Sequence, residues 1–582
     1  MIRDILRPRW TMKGIKKSNR SFLEATIVGL DTETYKGKPY TFQIQSDGIE
    51  KIVYVNEKNV TEKFLDCIYE TYADGAYFFV HNLEFDLVVL FYPYIKQFVN
   101  QSFEIKAKNL RIKILCGKVN YAEITLYEKH YRIIDTFAFF KTSLQKLAET
   151  FKLSPKLLHP AGLGSRKYTG KDRHNFEVYA IRDSVISREI GEKIVEFHQS
   201  YDSRLCISAP QLSAEIFKKH FIEDVSIPAN PADLDEAACL SYHGGKNGMY
   251  VKPGIYKGVR VYDINSAYPY AMKNLPNFAG CDYEWVACGK IDKVSMIAGK
   301  SQGIVSISGY SNPEPRNLLR NHKFQIVQGD FKDLWITTYE LDCILRNGFV
   351  EGLSINEAYL VRPGQVANPL KKFAETFYAL KQETKGTMRE FYKIILNSLY
   401  GKFIQNVRGD TSETSIELID KELREQIFYQ AGGLWNPLIA TMITGFVRAY
   451  LTDMEMNFNS LHSSTDSIMT MEEIETNNEM GGLSLKAVGT ALLLRPKLYV
   501  VWNKRNEIVT FALHGYHGSL KDFISMMRSG KRTYCHFRMT KVKESMRQNK
   551  QPLVMEKYFK RVNLAIDDCM DIPPLKWEGK TI

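Results

Sequence analysis

The chain has 582 residues, 44% of them hydrophobic and 25% charged. It can bury several cores and divide into roughly three to five domains, which excludes a disordered tail or a small disulfide-stapled scaffold. Lys and Arg total 78 against 66 Asp and Glu, a formal net charge of +12 that leans toward a polyanionic partner. Nine cysteines contain no CxxC pair; they read as reduced thiols of an intracellular protein. No apolar run reaches the roughly 18 residues of a membrane span, so no membrane partner is expected.

The first 20 residues carry seven Lys or Arg and one acid, without the apolar stretch of a secretory signal; they read as a basic arm touching nucleic acid. From 22 to 200, short β-branched and aromatic strands (ATIVGLDTET, AYFFVHN, HYRIIDTFAFF) are followed by helical stretches, an α/β pattern. A connecting region ends in the glycine-rich loop SYHGGKNGMYVKPG. The strand VRVYDI then leads into a turn and short helix, and about 95 residues rich in Gly, Pro and Asn form a separate block. The amphipathic stretches PLKKFAETFYALKQ and MREFYKIILNSLYGKF flank Lys385-Gly386 and predict an antiparallel helical hairpin. A polar segment follows, then a helix from Pro437, then a hairpin around SLHSSTDSIMTM. Residues 531–550 form a second cationic patch, with seven basic residues and one acid.

In the first part of the chain, Asp31 and Glu33 sit two apart on a predicted strand and leave the same face. Held so close, they repel unless a cation joins them. Asp86 follows a buried-looking strand, and Tyr179 and Asp183 lie four apart on one helical face. Taken singly, each acid reads as a solvated charge or helix cap. Together they form the inventory of a two-metal phosphodiesterase, whose ions lie roughly 3.5–4 Å apart.

In the second half, Asp263 ends a strand whose following turn (Ile264 onward) can offer backbone to the same cation, and Asp466 lies at a hairpin tip. Either alone is an ordinary turn former. Lys393, Asn397 and Tyr400 fall at i, i+4 and i+7 with Gly401 adjoining, so a cation, an amide and an aromatic face one cleft. Lys381, in the other arm of the hairpin, can aim a second ammonium at the same phosphates.

DTET, HNLEFD and YAIRD, in that order, resemble the 3′–5′ proofreading exonuclease of family B DNA polymerases. DINSAYP, KIILNSLYG and STDS resemble that family's three polymerase motifs, RPKLY its primer-holding KxY segment, and SYHGG the YxGG loop of its protein-primed subgroup. The likeness covers about residues 25–515. It implies a multidomain α/β protein, with a ribonuclease-H-like 3′–5′ exonuclease domain and a right-hand polymerase domain carrying two subgroup insertions. The implied units are a basic arm (1–24), the exonuclease (25–205), a linker with the YxGG loop and first palm segment (206–274) and a first insertion contacting terminal protein and DNA (275–366). Fingers (367–402), a second insertion for strand displacement and processivity (403–432), palm (433–515) and thumb (516–582) follow.

The resemblance implies two Mg²⁺ or Mn²⁺ ions per site. Asp31, Glu33, Asp86 and Asp183 would hold them in the exonuclease, where Tyr179 orients water, Asn82, Phe85 and Thr136 hold a frayed 3′ end, and Lys156 is the candidate assisting lysine. In the polymerase, Asp263, Ile264 and Asp466 would bind metal, and Lys381 and Lys393 the triphosphate. Tyr268 would stack under the sugar and exclude a 2′-hydroxyl, while Asn397, Tyr400 and Gly401 shape the nascent pair. Lys497 and Tyr499 would hold the primer terminus, with Tyr242, Gly244, Gly245 and Arg448 as further DNA contacts. Two departures stand out: Ser464 replaces the first of two hairpin aspartates, and His462 the usual tyrosine.

The implied function is a DNA-directed DNA polymerase with proofreading, protein-primed and strand-displacing, replicating a viral or linear mobile-element genome. Its partners would be template and primer DNA, dNTPs and a terminal protein, with the chain a monomer or a heterodimer with that protein. The alternative, prompted by Ser464, is a 3′–5′ exonuclease with a decayed polymerase half.

Overall fold

A computed structural model describes residues 14–97, 102–115, 119–287, 297, 299, 301–321, 324–408, 429–539, 555–562 and 570–582. The first sheet holds β1 (Ile27–Tyr35), β2 (Lys38–Ser46), β3 (Ile49–Tyr54), β4 (Tyr77–Val80), β5 (Ser102–Ala107), β6 (Leu110–Leu115), β7 (Tyr121–Leu126) and β8 (Lys129–Asp135). Its order is β3-β2-β1-β4-β8-β7-β6-β5, parallel at β1-β4-β8 and antiparallel on either side.

The all-apolar β4 (YFFV) is explained by cover on both faces. Phe78 packs with Phe64 and Phe91, from the helical segments that follow β3 and β4, whereas Phe79 joins Ile186 and Ile190 of the helix Gly170–Ser200. That helix presses hard against β1. A Cβ on Gly29 would stand 1.9 Å from the Ser184 carbonyl oxygen, so the missing side chain is what lets Asp183 approach Asp31.

Next come β9 (Asn247–Met249) and β10 (Gly254–Ile264), then β11 (Asp282–Val286), β12 (Gly303–Ser311), β13 (Gly329–Thr337) and β14 (Val350–Arg362), the last four in their own sheet, β11-β14-β12-β13. The helices Pro369–Glu383 and Gly386–Ser398 form the predicted hairpin. β15 (Asn406–Arg408) pairs with β16 (Tyr429–Ala431) on either side of undescribed residues. β17 (His462–Ser464), β18 (Ser467–Thr470), β19 (Leu483–Arg495), β20 (Leu498–Trp502) and β21 (Ile508–Leu513) complete a seven-stranded sheet, β21-β20-β19-β10-β18-β17-β9. β22 (Thr533–Met539) and β23 (Met555–Arg561) form a terminal ribbon.

Cores cross the boundaries drawn from sequence. Phe391 of the helical hairpin stacks on Phe197 at 4.5 Å and meets Phe140 at 5.0 Å, tying that hairpin to the first sheet's helices. The glycine-rich block has a sheet of its own, but its core takes in Ala449 from the helix Pro437–Asn457, so it is not separate. The core beyond residue 516 merges with Leu492, Leu498 and Trp502 of β19 and β20. The basic arm is docked where described: Ile15 is buried against Ile227, and the Ser18 hydroxyl donates to Glu215. Residues 1–13, most of the second insertion and much of the 531–550 patch lie outside the described residues.

Candidate active sites

Two groups of carboxylates stand at strand ends. In the first sheet, Asp31 and Glu33 alternate along β1 with buried Leu30 and Thr32. Asp86, on the helix Leu83–Leu90, accepts a 2.8 Å hydrogen bond from the Thr32 hydroxyl. Asp183 and Tyr179 reach in from the helix Gly170–Ser200, both buried. Burial, then repulsion from Asp86, Glu33 and Asp183, drives the Asp31 carboxyl well above its ordinary range. Burial and the charge of Asp183 push Glu33 up to about 8. Asp86 is raised chiefly by burial.

Lys156, the candidate assisting lysine, supplies a compensating charge to this site. Its ammonium donates to Asp183 Oδ2 and lies 5.6 Å above the Tyr179 ring. Asp183 Oδ1 is buried without a partner. His159, a residue missed in the sequence, bonds the Tyr179 phenol at 2.9 Å.

Among the described residues no three acidic, His or Cys side chains converge as a ready metal cage. The repelling carboxylates and the orphaned Asp183 oxygen nevertheless fit a divalent ion, which would complete both deficits.

Asn82 takes a left-handed φ of +68 at the helix start, is exposed, and donates its N–H to Asp135 at 3.0 Å; Phe85 is half-buried. Thr136 departs from expectation. It is fully buried, with its hydroxyl 2.9 Å from His81 Nδ1, so in this structure it braces His81.

The second group forms where β10 meets the β17–β18 hairpin. Asp263 pairs in register with Ser467, and the Ile264 N–H donates to the Asp466 carbonyl at 2.8 Å. The two acids, 203 residues apart in sequence, thus share one strand end. Asp466 keeps an exposed edge, yet loss of water in the cleft and the charge of Asp263 push it up to about 6. Burial also raises Asp263, whose Oδ2 lies 3.8 Å from the Lys486 ammonium. This pair with the adjoining Ile264 backbone fits a divalent ion bound from the open side.

Above the acids, Lys381 Nζ donates to the Ser266 hydroxyl at 3.1 Å. Burial, then the charges of Arg389, Lys393 and Lys486, lowers its affinity for a proton. Arg389, four residues before Lys393 on the same helix, escaped the sequence reading; the helical period pointed to it. Lys393 is exposed beside Glu390, and Asn397 and Gly401 are also exposed. A Cβ on Gly401 would meet open space. Tyr268 lies flat on Tyr400, with centroids 4.0 Å apart and planes within 4°.

Lys497 has φ +59, and its N–H donates to His462 Nε2 at 3.2 Å. The His462 ring meets Tyr499 edge-on at 5.1 Å. Burial lowers His462 to about 4, so its neutral form keeps an acceptor for Lys497.

Tyr242 is half-buried and Gly244 exposed. A Cβ on Gly245 would come within 2.7 Å of Thr465 and 3.0 Å of the Tyr268 hydroxyl, which requires glycine there. Arg448, expected as a DNA contact, is buried, donates 2.9 Å from Nε to Glu340, and clasps the carbonyls of His243 and Gly244, so it shapes the loop.

The fold is a multidomain α/β assembly of a mixed exonuclease-type sheet and a right-hand polymerase body. It matches phi29 DNA polymerase complexed with primer-template DNA at a TM-score of 0.67 and 17% identity, over 93% of this chain and 100% of that one. Residues 179–430 match the family model of type B DNA polymerases, organellar and viral. Relatives include the DNA-directed DNA polymerase of Enterobacteria phage PRD1 (24% identical, 46% of this chain and 51% of the relative) and a probable DNA polymerase of Podospora anserina (25%, 54% and 31%). A primer-independent DNA polymerase PolB of Escherichia coli is 23% identical over 57% of this chain and 43% of its own. The chain thus spans about half or less of the length of these relatives. Among the described residues every cysteine is a free thiol, and no helix is long and apolar enough to cross a membrane.

Proposed function

We propose that the chain is a DNA-directed DNA polymerase with an intrinsic 3′–5′ exonuclease, extending a DNA primer on a template from dNTPs. The observation that carries the reading is the convergence of Asp263 and Asp466 at one strand end beneath Lys381, Arg389 and Lys393. Asp263 and Asp466, with the Ile264 carbonyl, would hold Mg²⁺ or Mn²⁺; such ions supply charge stabilisation for phosphoryl transfer. The cationic residues draw in and orient the triphosphate, and the concentration of positive charge opposes the negative charge that grows during transfer. Tyr268, held flat on Tyr400, forms the floor for the sugar. Lys497 and Tyr499, fixed by His462, support the primer end.

In the exonuclease, Asp31, Glu33, Asp86 and Asp183 would hold the ions. Lys156 steadies Asp183, and Tyr179 orients water. Asn82 and Phe85 face the strand end. The sequence blocks 25–205, 367–402, 433–515 and 516–582 serve as exonuclease, fingers, palm and thumb. The YxGG loop would join them, with Tyr242, Gly244 and Gly245 as DNA contacts.

Priming from a protein hydroxyl, with the 275–366 block contacting a terminal protein, is supported by the YxGG loop and by the primer-independent relative. Replication of a viral or linear mobile genome follows from the same kinship.

Primer extension tests the reading. Asp263→Asn and Asp466→Asn should each lower extension by on the order of 10²–10³-fold or more, with 3′ degradation retained. Asp31→Ala with Glu33→Ala should do the reverse. Extension unchanged by Asp263→Asn would leave only the nuclease reading.

A further inference from the structure

The loop SYHGGKN contains a lysine that none of the roles above uses. The Lys246 side chain is 2% exposed and pairs with Glu455, which is fully buried. Lysine is almost never buried to this degree without a dedicated partner. Its three N–H donors are all spent, on the Glu455 carboxylate, on the Thr452 hydroxyl at 2.8 Å and on the Arg316 carbonyl. Glu455 and Thr452 lie on the helix Pro437–Asn457, and Arg316 in the block between β12 and β13. The ammonium therefore fixes the loop to two other parts of the fold.

The backbone of the same residue leads to the acids. The Lys246 carbonyl accepts the Thr465 N–H at 2.7 Å. Asn247, the next residue, pairs with Ser464, and its side-chain oxygen lies 3.3 Å from the Thr465 hydroxyl. Thr465 has φ +58, a conformation that a β-branched residue adopts only when its surroundings enforce it. It is followed directly by Asp466. Gly245 packs against the Thr465 side chain from below. The direction of the Asp466 carboxylate is thus set by a strained turn, and that turn hangs from the carbonyl of a residue whose side chain is immobilised.

A pair of well-packed apolar side chains could fill the same space with little loss of stability, because two charges removed from water gain little net energy by meeting. Stability alone does not account for the lysine.

We infer that Lys246 is a positioning residue, whose buried pairing with Glu455 sets the aim of the Asp466 carboxylate. The inference rests on the reading of Asp466 as a metal-binding group. The test uses the full chain carrying Asp31→Ala and Glu33→Ala, which removes two of the four carboxylates of the other acid cluster. Mn²⁺ alone is titrated by electron paramagnetic resonance, and thermal unfolding is followed in parallel.

Lys246→Met leaves Glu455 buried and unpaired, so melting temperature should fall and Mn²⁺ binding should weaken by roughly 10–100-fold, the usual effect of losing a group that orients a metal ligand. Lys246→Met with Glu455→Met removes both charges. It should recover the melting temperature while Mn²⁺ binding stays weak, and it carries the test if the single variant does not fold. A double variant that melts and binds Mn²⁺ like its parent overturns the inference and leaves the pair as packing. Asp466→Asn is the control on the underlying reading. If it does not weaken Mn²⁺ binding, the assignment of the metal site has failed, whatever Lys246 does.

Discussion

At the first sheet, Asp86 and Asp183 are almost sealed from water, Asp31 and Glu33 press on them, and a lysine from the chain itself stands against Asp183. At the seven-stranded sheet two acids meet among the described residues, Asp466 keeps an exposed edge, Lys486 stands 3.8 Å from Asp263, and further cations are offered by a helical hairpin. The same residue type serves two environments. The first is a crowded, buried pocket; the second is a more open floor, and on the function proposed above these would take a strand end and a triphosphate respectively. The difference teaches that acid count does not rank the sites. Crowding raises the cost of keeping carboxylates charged, whereas the open site holds fewer acids and eases them with Lys486 and with water at its exposed edge.

The sharpest way to break this comparison is at Lys156, which belongs to one site only. Lys156→Ala should slow 3′ degradation by roughly 10²-fold or more, the scale of losing a positioned proton-transfer or charge partner, with primer extension changed by less than about twofold. Equal losses in both assays would show the two sites to be coupled. On the other side, Tyr268→Val removes the ring stacked on Tyr400 and should admit ribonucleotides. Discrimination in kcat/KM between dNTP and NTP should fall by roughly 10–200-fold, the range for one shape contact in a pocket. Unchanged discrimination would remove Tyr268 as the sugar floor.

The smallest effect is on stability without metal. Glu33 is raised from 4.5 to about 8 and Asp466 from 3.8 to about 6. A raised carboxyl means that the folded state holds its proton more tightly than the unfolded chain. These two groups therefore add stability in acid that is lost as pH rises from about 4 through 8, with the upper part of the loss owed to Glu33. His81, His198 and His462, each lowered to about 4, act in the opposite sense below about pH 6.5. In chelator, the melting temperature should fall as pH rises from about 6 to 8, where those histidines are neutral in both states. Glu33→Gln should flatten that stretch, and Mg²⁺ should restore more stability at pH 8 than at pH 5. A profile that is flat above about pH 6 in chelator would mean that the crowding at the first site is relieved without metal.

Much of both sites was legible because the relevant spacing is local. Asp31 with Glu33 follows from the two-residue repeat of a strand, Tyr179 with Asp183 from the helical turn, and Lys393, Asn397 and Tyr400 from a helical stripe. Arg389 sat on that stripe and could have been found there. The burial of Thr136 and Arg448 could not be read from the sequence. A threonine at a strand end and an arginine on a helix look like surface groups until neighbours bury them, here His81 for one and Glu340 with the SYHGG carbonyls for the other.

By itself, the sequence determined the order of elements, the acids and cations that can do chemistry, and the hairpin that presents Asp466. These depend on periods of two and 3.6 residues and on turn chemistry, which neighbours along the chain specify. The tertiary structure decided which charges meet. Lys246 and Glu455 are 209 residues apart, and Lys156 reaches Asp183 from a segment that carries no helical or strand period. Domain edges that composition drew as breaks became shared cores, because aromatic side chains such as Phe391 pack on rings of a neighbouring unit, Phe197 and Phe140.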